Sequence, residues 1–187
     1  MEYAILGSTG LAVSRMAFGA MTFTQGNKNI ASIYKVGERL ERDVIPMMRR
    51  YGLGLTVWSP LASGFLSGKY TRESLKDPDN RYSGFDLLPF DKERGFALVE
   101  QMRPIAKRHG GSVAQVALAW LLSKKAVTSI LLGATKLQQL EDNLAASDMK
   151  LAAEEVAALD AATTPPKVYP NWFIDQLGDD ALQKALG

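Results

Sequence analysis

The chain has 187 residues, 47% of them hydrophobic and 22% charged, with a formal net charge of +2. That length and balance describe one globular domain with a sizeable core, and so small a charge, with no Lys/Arg block, gives no footing for nucleic acid. There is no Cys and a single His, His109, which excludes disulfides, thiolate metal sites and zinc centres built on several histidines. No apolar run reaches membrane-spanning length and Met1–Gly10 lacks the layout of a signal peptide, so a soluble cytoplasmic domain without membrane contact is expected.

In chain order, Met1–Leu6 and Leu11–Arg15 flank the Gly-rich turn GSTG and predict a small hairpin. Ala17–Phe23 predicts a first buried strand and Ile30–Tyr34 a second, joined only by the polar stretch Thr24–Asn29. Glu41–Tyr51 predicts a helix with Pro46 in its first turn, where a missing N–H costs little, and Gly52 as its stop. LGLTVWSP, residues 53–60, predicts a third strand closed by Ser59 and Pro60. Residues 62–90 are rich in Gly, Ser, Asp and Pro without a clean period and predict a long loop, and such loops inside a compact domain are usually functional. Asp91–Arg108 predicts a charged amphipathic helix. Ser112 caps another, with Val113, Val116, Ala117, Trp120 and Leu121 on one face. Thr128–Leu132 predicts a fourth strand, from which Gly133 leads into the helix Lys136–Ala146, and Ala152–Ala162 predicts a last helix before a Pro-rich, aromatic tail. Strand–helix alternation means α/β with a parallel sheet, in a single domain over residues 1–187.

Two stretches carry candidate chemistry. In ILLGATKLQQLEDN, residues 130–143, a strand passes through Gly133 into a helix whose first turn holds Thr135 and Lys136. Free N–H groups and the helix dipole favour a phosphate there, with Gln139, Asp142 and Asn143 one and two turns on. Many such turns bind nothing, so the pattern by itself leaves both readings open. In TVWSPLASGFLSGKY, residues 56–70, Trp58 and Ser59 end a strand, Ala62, Ser63 and Gly64 let a ligand approach the backbone, and Lys69 reaches toward an anion. A core Trp followed by an ordinary loop accounts for the same residues. For proton chemistry, Tyr34 reads as packing, Lys35 as solvated and His109 as a helix C-terminal cap, while Asp86 and Asp91 flank the long loop without an identifiable partner. No acid–base pair is arranged, and no metal site is expected.

Taken together, WSPLASGFLSGKY, HGGSVAQVALAWLL, ILLGATKLQQLEDNLAA, the tail YPNWFIDQLG and the opening YAILGSTGLAVSRMAFGAMTF resemble the aldo-keto reductase family over nearly the whole chain. The resemblance implies a (β/α)₈ barrel that binds NADP(H) across its C-terminal face and reduces carbonyl compounds. It implies that Gly19, Ala20 and Met21 approach the nicotinamide and that Trp58 stacks on it. Ser59, Pro60, Leu61 and Gly64 would line the pyrophosphate, with Lys69 and Arg81 nearby. Gly133, Ala134, Thr135 and Lys136 would hold the 2′-phosphate, and Gln139, Asp142 and Asn143 the adenine end.

Against the family's pattern, the chain passes from the family's first strand to its sixth. The Asp, Tyr, Lys and His of the catalytic tetrad, and the carboxamide-binding residues after the fourth and fifth strands, have no counterpart. Ala31 stands where a Gln usually lies three before Tyr34. No catalytic residue is therefore assigned. Carbonyl reduction needs its proton donor as general acid, so a weak or altered oxidoreductase on an unassigned small carbonyl substrate is expected, the alternative being a non-catalytic module that senses NADP(H) or binds another protein. Four remaining strands make half a TIM barrel. Closing it within the chain requires a span of about 22 Å, against at most about 20 Å for six extended residues. The expectation is a homodimer that completes the half-barrel, with Ala17–Phe23 exchanged into the partner's sheet through Thr24–Asn29.

Overall fold

A computed structural model describes residues 3–8, 10–18, 44–78, 90–164 and 173. The hairpin forms as the turn chemistry predicts: β1 (Tyr3–Ile5) pairs antiparallel with β2 (Ala12–Ser14), and Gly7, with φ of +57°, takes the left-handed turn position that a side chain disfavours. Its tip is tied down by the Ser8 N–H, which donates to the Gly52 carbonyl at 2.6 Å.

The main sheet has three parallel strands in the order β3 (Met16–Phe18), β5 (Val127–Leu132), β4 (Leu55–Val57). β5 is the central strand and its sequence, VTSILL, is buried almost throughout, as expected of a parallel strand covered on both faces. Within the single chain, Met16–Phe18 pairs with Ile130–Leu132, where β5 offers a hydrogen-bonding edge beside it. The remainder of the predicted strand, 19–23, the joint Thr24–Asn29 and the strand Ile30–Tyr34 lie outside the described residues. The sheet is part of a barrel at most; among the described residues no closed barrel forms.

Helix α1 (Ile45–Arg50) has Pro46 in its first turn and stops at Tyr51 and Gly52. The stretch expected to be an irregular loop contains two 3₁₀ turns, Ala62–Ser67 and Ser74–Lys76. Helix α2 (Lys92–Arg108) starts at Asp91, whose carboxylate accepts from the Glu93 and Arg94 N–H groups. That gives the partner the sequence left unassigned. Helix α3 (Val113–Leu122) starts at Ser112 with a reciprocal capping box to Gln115, satisfying two otherwise orphaned donors. Helices α4 (Leu137–Ala145) and α5 (Ala153–Thr163) complete the described chain. Among the described residues no helix is long and apolar enough to cross a membrane.

Helix α3 is apolar nearly all round because it faces two cores. Val113, Val116 and Ala117 pack with Phe65, Val99, Met102 and Leu159 between α2, α5 and the loop after β4. Leu118 packs with Met16, Ile130, Leu132 and Ala146 against the sheet. Trp120, expected on the buried face, is only partly covered, and its indole N–H donates to Asp160 of α5 at 2.7 Å.

Candidate nucleotide site

Parallel register brings the carboxyl ends of all three strands to one edge: Phe18 lies opposite Leu132, and Val57 opposite Ile130. Ligands of α/β folds bind at such an edge, where loops leave the strand ends. Two segments that the sequence singles out emerge there, Trp58–Gly64 from β4 and Gly133–Lys136 from β5.

The first segment is strained. Ser59, Ala62 and Ser63 have φ of 52°, 47° and 57°, followed by Gly64 at 89°. Each non-glycine residue in this region costs on the order of 1–2 kcal/mol, and clusters of such residues mark functional loops. The turn is held internally: the Ala62 N–H donates to the Ser59 carbonyl at 2.9 Å, the Ser63 N–H to Ser59 Oγ at 3.2 Å and the Gly64 N–H to the Leu61 carbonyl at 2.9 Å. It is seated by Phe65, 1% exposed, whose ring meets Phe90 edge-on at 5.0 Å and Phe96 at 4.9 Å between centroids. Lys69 returns over the loop. A Cβ built on Gly64 would be in ordinary contact with Lys69 Nζ, at 3.6 Å, so it is the φ of 89° and not lack of space that favours glycine here. Trp58 is 39% exposed, which excludes the reading of it as an ordinary core residue. Pro60 and Leu61 are partly buried, and Leu61 packs against both cores.

The second segment is open. A Cβ on Gly133 would meet nothing within 4 Å, and Ala134 is partly buried while Thr135 and Lys136 are exposed. Lys136 is the extended residue preceding α4 and makes no side-chain cap; among the described residues no carboxylate pairs with its ammonium. Gln139 turns back, its Oε1 accepting from the Thr135 N–H and Oγ1, each at 3.2 Å. The Gln139 N–H donates to the Lys136 carbonyl at 3.1 Å, while those of Leu137 and Gln138 have no partner within the helix, and the dipole adds positive potential to that of Lys136.

Asp142 and Asn143 are placed differently from the other candidates. The Asp142 carboxylate accepts from Ser112 Oγ at 2.7 Å and from Gln115 Nε2 at 3.0 Å, and Asn143 is 6% exposed. Gly19, Ala20, Met21 and Arg81 lie outside the described residues. The sequence reading did not single out Gln115, although Ser followed three residues later by Gln ahead of an apolar run is a capping-box signature. Nothing in the residue types of Ala62 and Ser63 announces positive φ.

The other charged clusters are away from this edge. Burial acts to raise the Glu155 carboxyl, but hydrogen bonds from His109, Arg108 and the Ala152 N–H outweigh it and hold it down at about 2. His109 Nε2 lies 2.7 Å and Arg108 Nη2 2.8 Å from this carboxylate, which ties the end of α2 to α5. Asp160 is likewise held below its usual range: burial opposes ionisation, and Lys124 and the Trp120 indole reverse it. Among the described residues no group of His, Asp or Glu side chains is arranged to hold a metal ion.

Comparison with known proteins matches residues 24–164 to the aldo/keto reductase family. The chain is 38% identical over 132 residues to a protein of Oryza sativa subsp. japonica named "probable voltage-gated potassium channel subunit beta", covering 67% of this chain and 38% of that protein. A like-named protein of Arabidopsis thaliana is 35% identical over 118 residues, covering 59% and 35%. One from Schizosaccharomyces pombe, also described as such a subunit, is 34% identical over 134 residues, covering 68% and 39%. The chain thus spans little more than a third of the length of these relatives.

Proposed function

Because this chain belongs to the aldo/keto reductase family, we propose that the strand-end edge is an NADP(H) site, in a cytoplasmic oxidoreductase-like protein of weak or altered carbonyl-reducing activity. The single observation that carries the reading is the pairing on one sheet edge of a strained loop under Lys69 with an open turn ending in Lys136, which no carboxylate pairs among the described residues. The residues present fit a dinucleotide. Lys136, Thr135 and the start of α4 offer charge and donors to a 2′-phosphate. Lys69 and the Ser59 hydroxyl, which already accepts from the Ser63 N–H, offer a cation and a donor to the pyrophosphate. Trp58, part exposed at the end of β4, offers a ring face to the nicotinamide. When bound, the nicotinamide supplies hydride chemistry. The residues of this chain hold and orient it, and no proton donor is assigned among them.

The test is a comparison of NADPH and NADH affinities. NADPH binds more tightly, and Lys136→Ala narrows the preference by about 1–2 kcal/mol, the scale of a charge-assisted bond. Equal affinity of the parent protein for the two cofactors overturns the assignment. A second reading, a non-catalytic module that senses NADP(H) or binds a protein such as a potassium channel, is favoured by the names of the relatives. We also propose the homodimer, with Ala17–Phe23 exchanged between half-barrels, supported by the open sheet among the described residues and by the exposed apolar residues Tyr3, Ile5 and Leu11 of the hairpin region.

A further inference from the structure

Asp142, which the family resemblance puts at the adenine end of the cofactor, also takes hydrogen bonds from the start of α3. Gln115 Nε2 donates to both Asp142 Oδ1 and the Asp142 carbonyl at 3.0 Å, while Gln115 Oε1 accepts from the Ser112 N–H at 3.1 Å. Ser112 Oγ accepts from the Gln115 N–H at 3.1 Å and donates to Asp142 Oδ2 at 2.7 Å. Both acceptor oxygens of Asp142 and both ends of the Gln115 amide are thus used inside one closed network. The room for it is made by Gly111, where a Cβ would lie 2.3 Å from Gln115 Oε1 and 2.5 Å from Met149 Cε. The network joins the first turn of α3, a helix fixed in two cores, to the second half of α4. The opposite end of α4 carries Lys136, Thr135 and Gln139.

We infer that Ser112, Gln115 and Asp142 form a clamp that sets α4 on α3 and thereby aims Thr135 and Lys136 at the 2′-phosphate, so that Ser112 and Gln115, remote from the nucleotide, are positioning residues. This rests on the NADP(H) reading above. A clamp of this kind governs the discrimination between nucleotides with and without a 2′-phosphate, because a rotation of α4 displaces Lys136 while leaving the Trp58 and Lys69 side of the site in place. Loss of folded protein would lower both affinities together and leave their ratio alone.

The decisive experiment removes the clamp from the α3 side. Gln115→Met keeps the length of the side chain and removes both of its bonds to Asp142, and Ser112→Ala removes the remaining one. We expect Gln115→Met to lower the NADPH to NADH affinity ratio roughly tenfold, the scale of losing one or two hydrogen bonds to a charged group, and Ser112→Ala to lower it by a smaller factor. Adenine is common to both nucleotides, so affinities that fall together with an unchanged ratio mean that the network bears only on the shared part of the nucleotide, and that result overturns the inference, as does no change in either variant. If the parent protein binds neither nucleotide, the cofactor reading has failed. The clamp is then judged by hydrogen exchange at the Gln139 and Leu140 amides, which bond the Lys136 carbonyl at 3.1 and 3.3 Å. Exchange roughly tenfold faster in Gln115→Met, and less so in Ser112→Ala, supports it, and exchange unaffected by the variants refutes it.

Discussion

Gly95→Ala puts two physical effects of opposite sign in competition. Gly95 lies inside α2, and replacing a helix-interior glycine by alanine stabilises an unencumbered helix by about 0.5–1 kcal/mol. Here the added Cβ would fall 2.7 Å from Phe65 Cε1 and 3.0 Å from Phe90 Cε2. Those are aromatic rings seated in a cluster, and Phe65 is 1% exposed, so they have little freedom to give. Overpacking of that kind costs about 1–3 kcal/mol, leaving a net destabilisation of up to about 2 kcal/mol, a large share of the 5–15 kcal/mol that folded domains have in total. Urea unfolding monitored by circular dichroism reads it as a lower midpoint with an unchanged slope. Phe65→Leu shortens the offending ring and costs stability itself by opening a cavity, but in its presence Gly95→Ala should become neutral or stabilising. A stabilising Gly95→Ala in the parent background would refute the packing argument, and with it the claim that Phe65 seats the strained loop.

Trp58 emission should be quenched by NADPH, and Trp58→Ala should remove that component; an unchanged quench, carried by Trp120 or Trp172, would place the nicotinamide elsewhere. The Glu155 carboxyl, held at about 2 against an ordinary 4.5, contributes stability that is present above about pH 4.5 and lost as pH falls toward 2. That contribution is on the order of 1–3 kcal/mol once the exposed Arg108 side of the pair is discounted. The stability difference between the parent protein and Glu155→Gln should therefore shrink over that window, and a difference independent of pH would refute the assignment. Sedimentation across a dilution series should show concentration-dependent dimerisation, and a compact 20.4 kDa monomer throughout would remove the dimer from the proposal.

Elements whose signal is local were legible in the sequence. GSTG, Pro46, Gly52 and Ser112 mark their turns and helix ends through backbone chemistry that needs no tertiary context, and the hairpin, α1, α3, β5 and α4 stand within a few residues of where these markers put them. What was not legible depends on contacts distant in sequence. Ala62 and Ser63 adopt positive φ just ahead of Phe65, which packs against rings from residues 90 and 96, and a propensity argument has no access to such contacts. Asp142 lies on a helix face that periodicity assigns equally well to a ligand or to a neighbouring helix. The approach of Ser112 and Gln115, 30 and 27 residues away in the chain, shows that it meets the neighbouring helix. The strand exchange rests on a distance estimate for the joint Thr24–Asn29, which lies outside the described residues.

The two halves of the candidate site are stiffened by different means, and the difference bears on what a ligand would do to each. The loop after β4 stores backbone strain over a buried ring, so its geometry is set before any ligand arrives and its cost, on the order of 1–2 kcal/mol at each of three positions, is met by the aromatic cluster beneath it. The turn after β5 stores none. It is exposed, its glycine is unopposed and its orientation comes from α4, itself held to α3 through Asp142. A preformed loop adds affinity because little ordering remains to be done on binding. An exposed turn adds discrimination only as far as its anchor holds. The same fold therefore separates two properties onto two segments: affinity for the shared part of a dinucleotide on the Phe65-seated loop, and preference for the 2′-phosphate on the clamped helix. Substitutions beneath Phe65 should change the affinity for NADPH and NADH together, whereas substitutions at the Ser112–Gln115–Asp142 network should change their ratio.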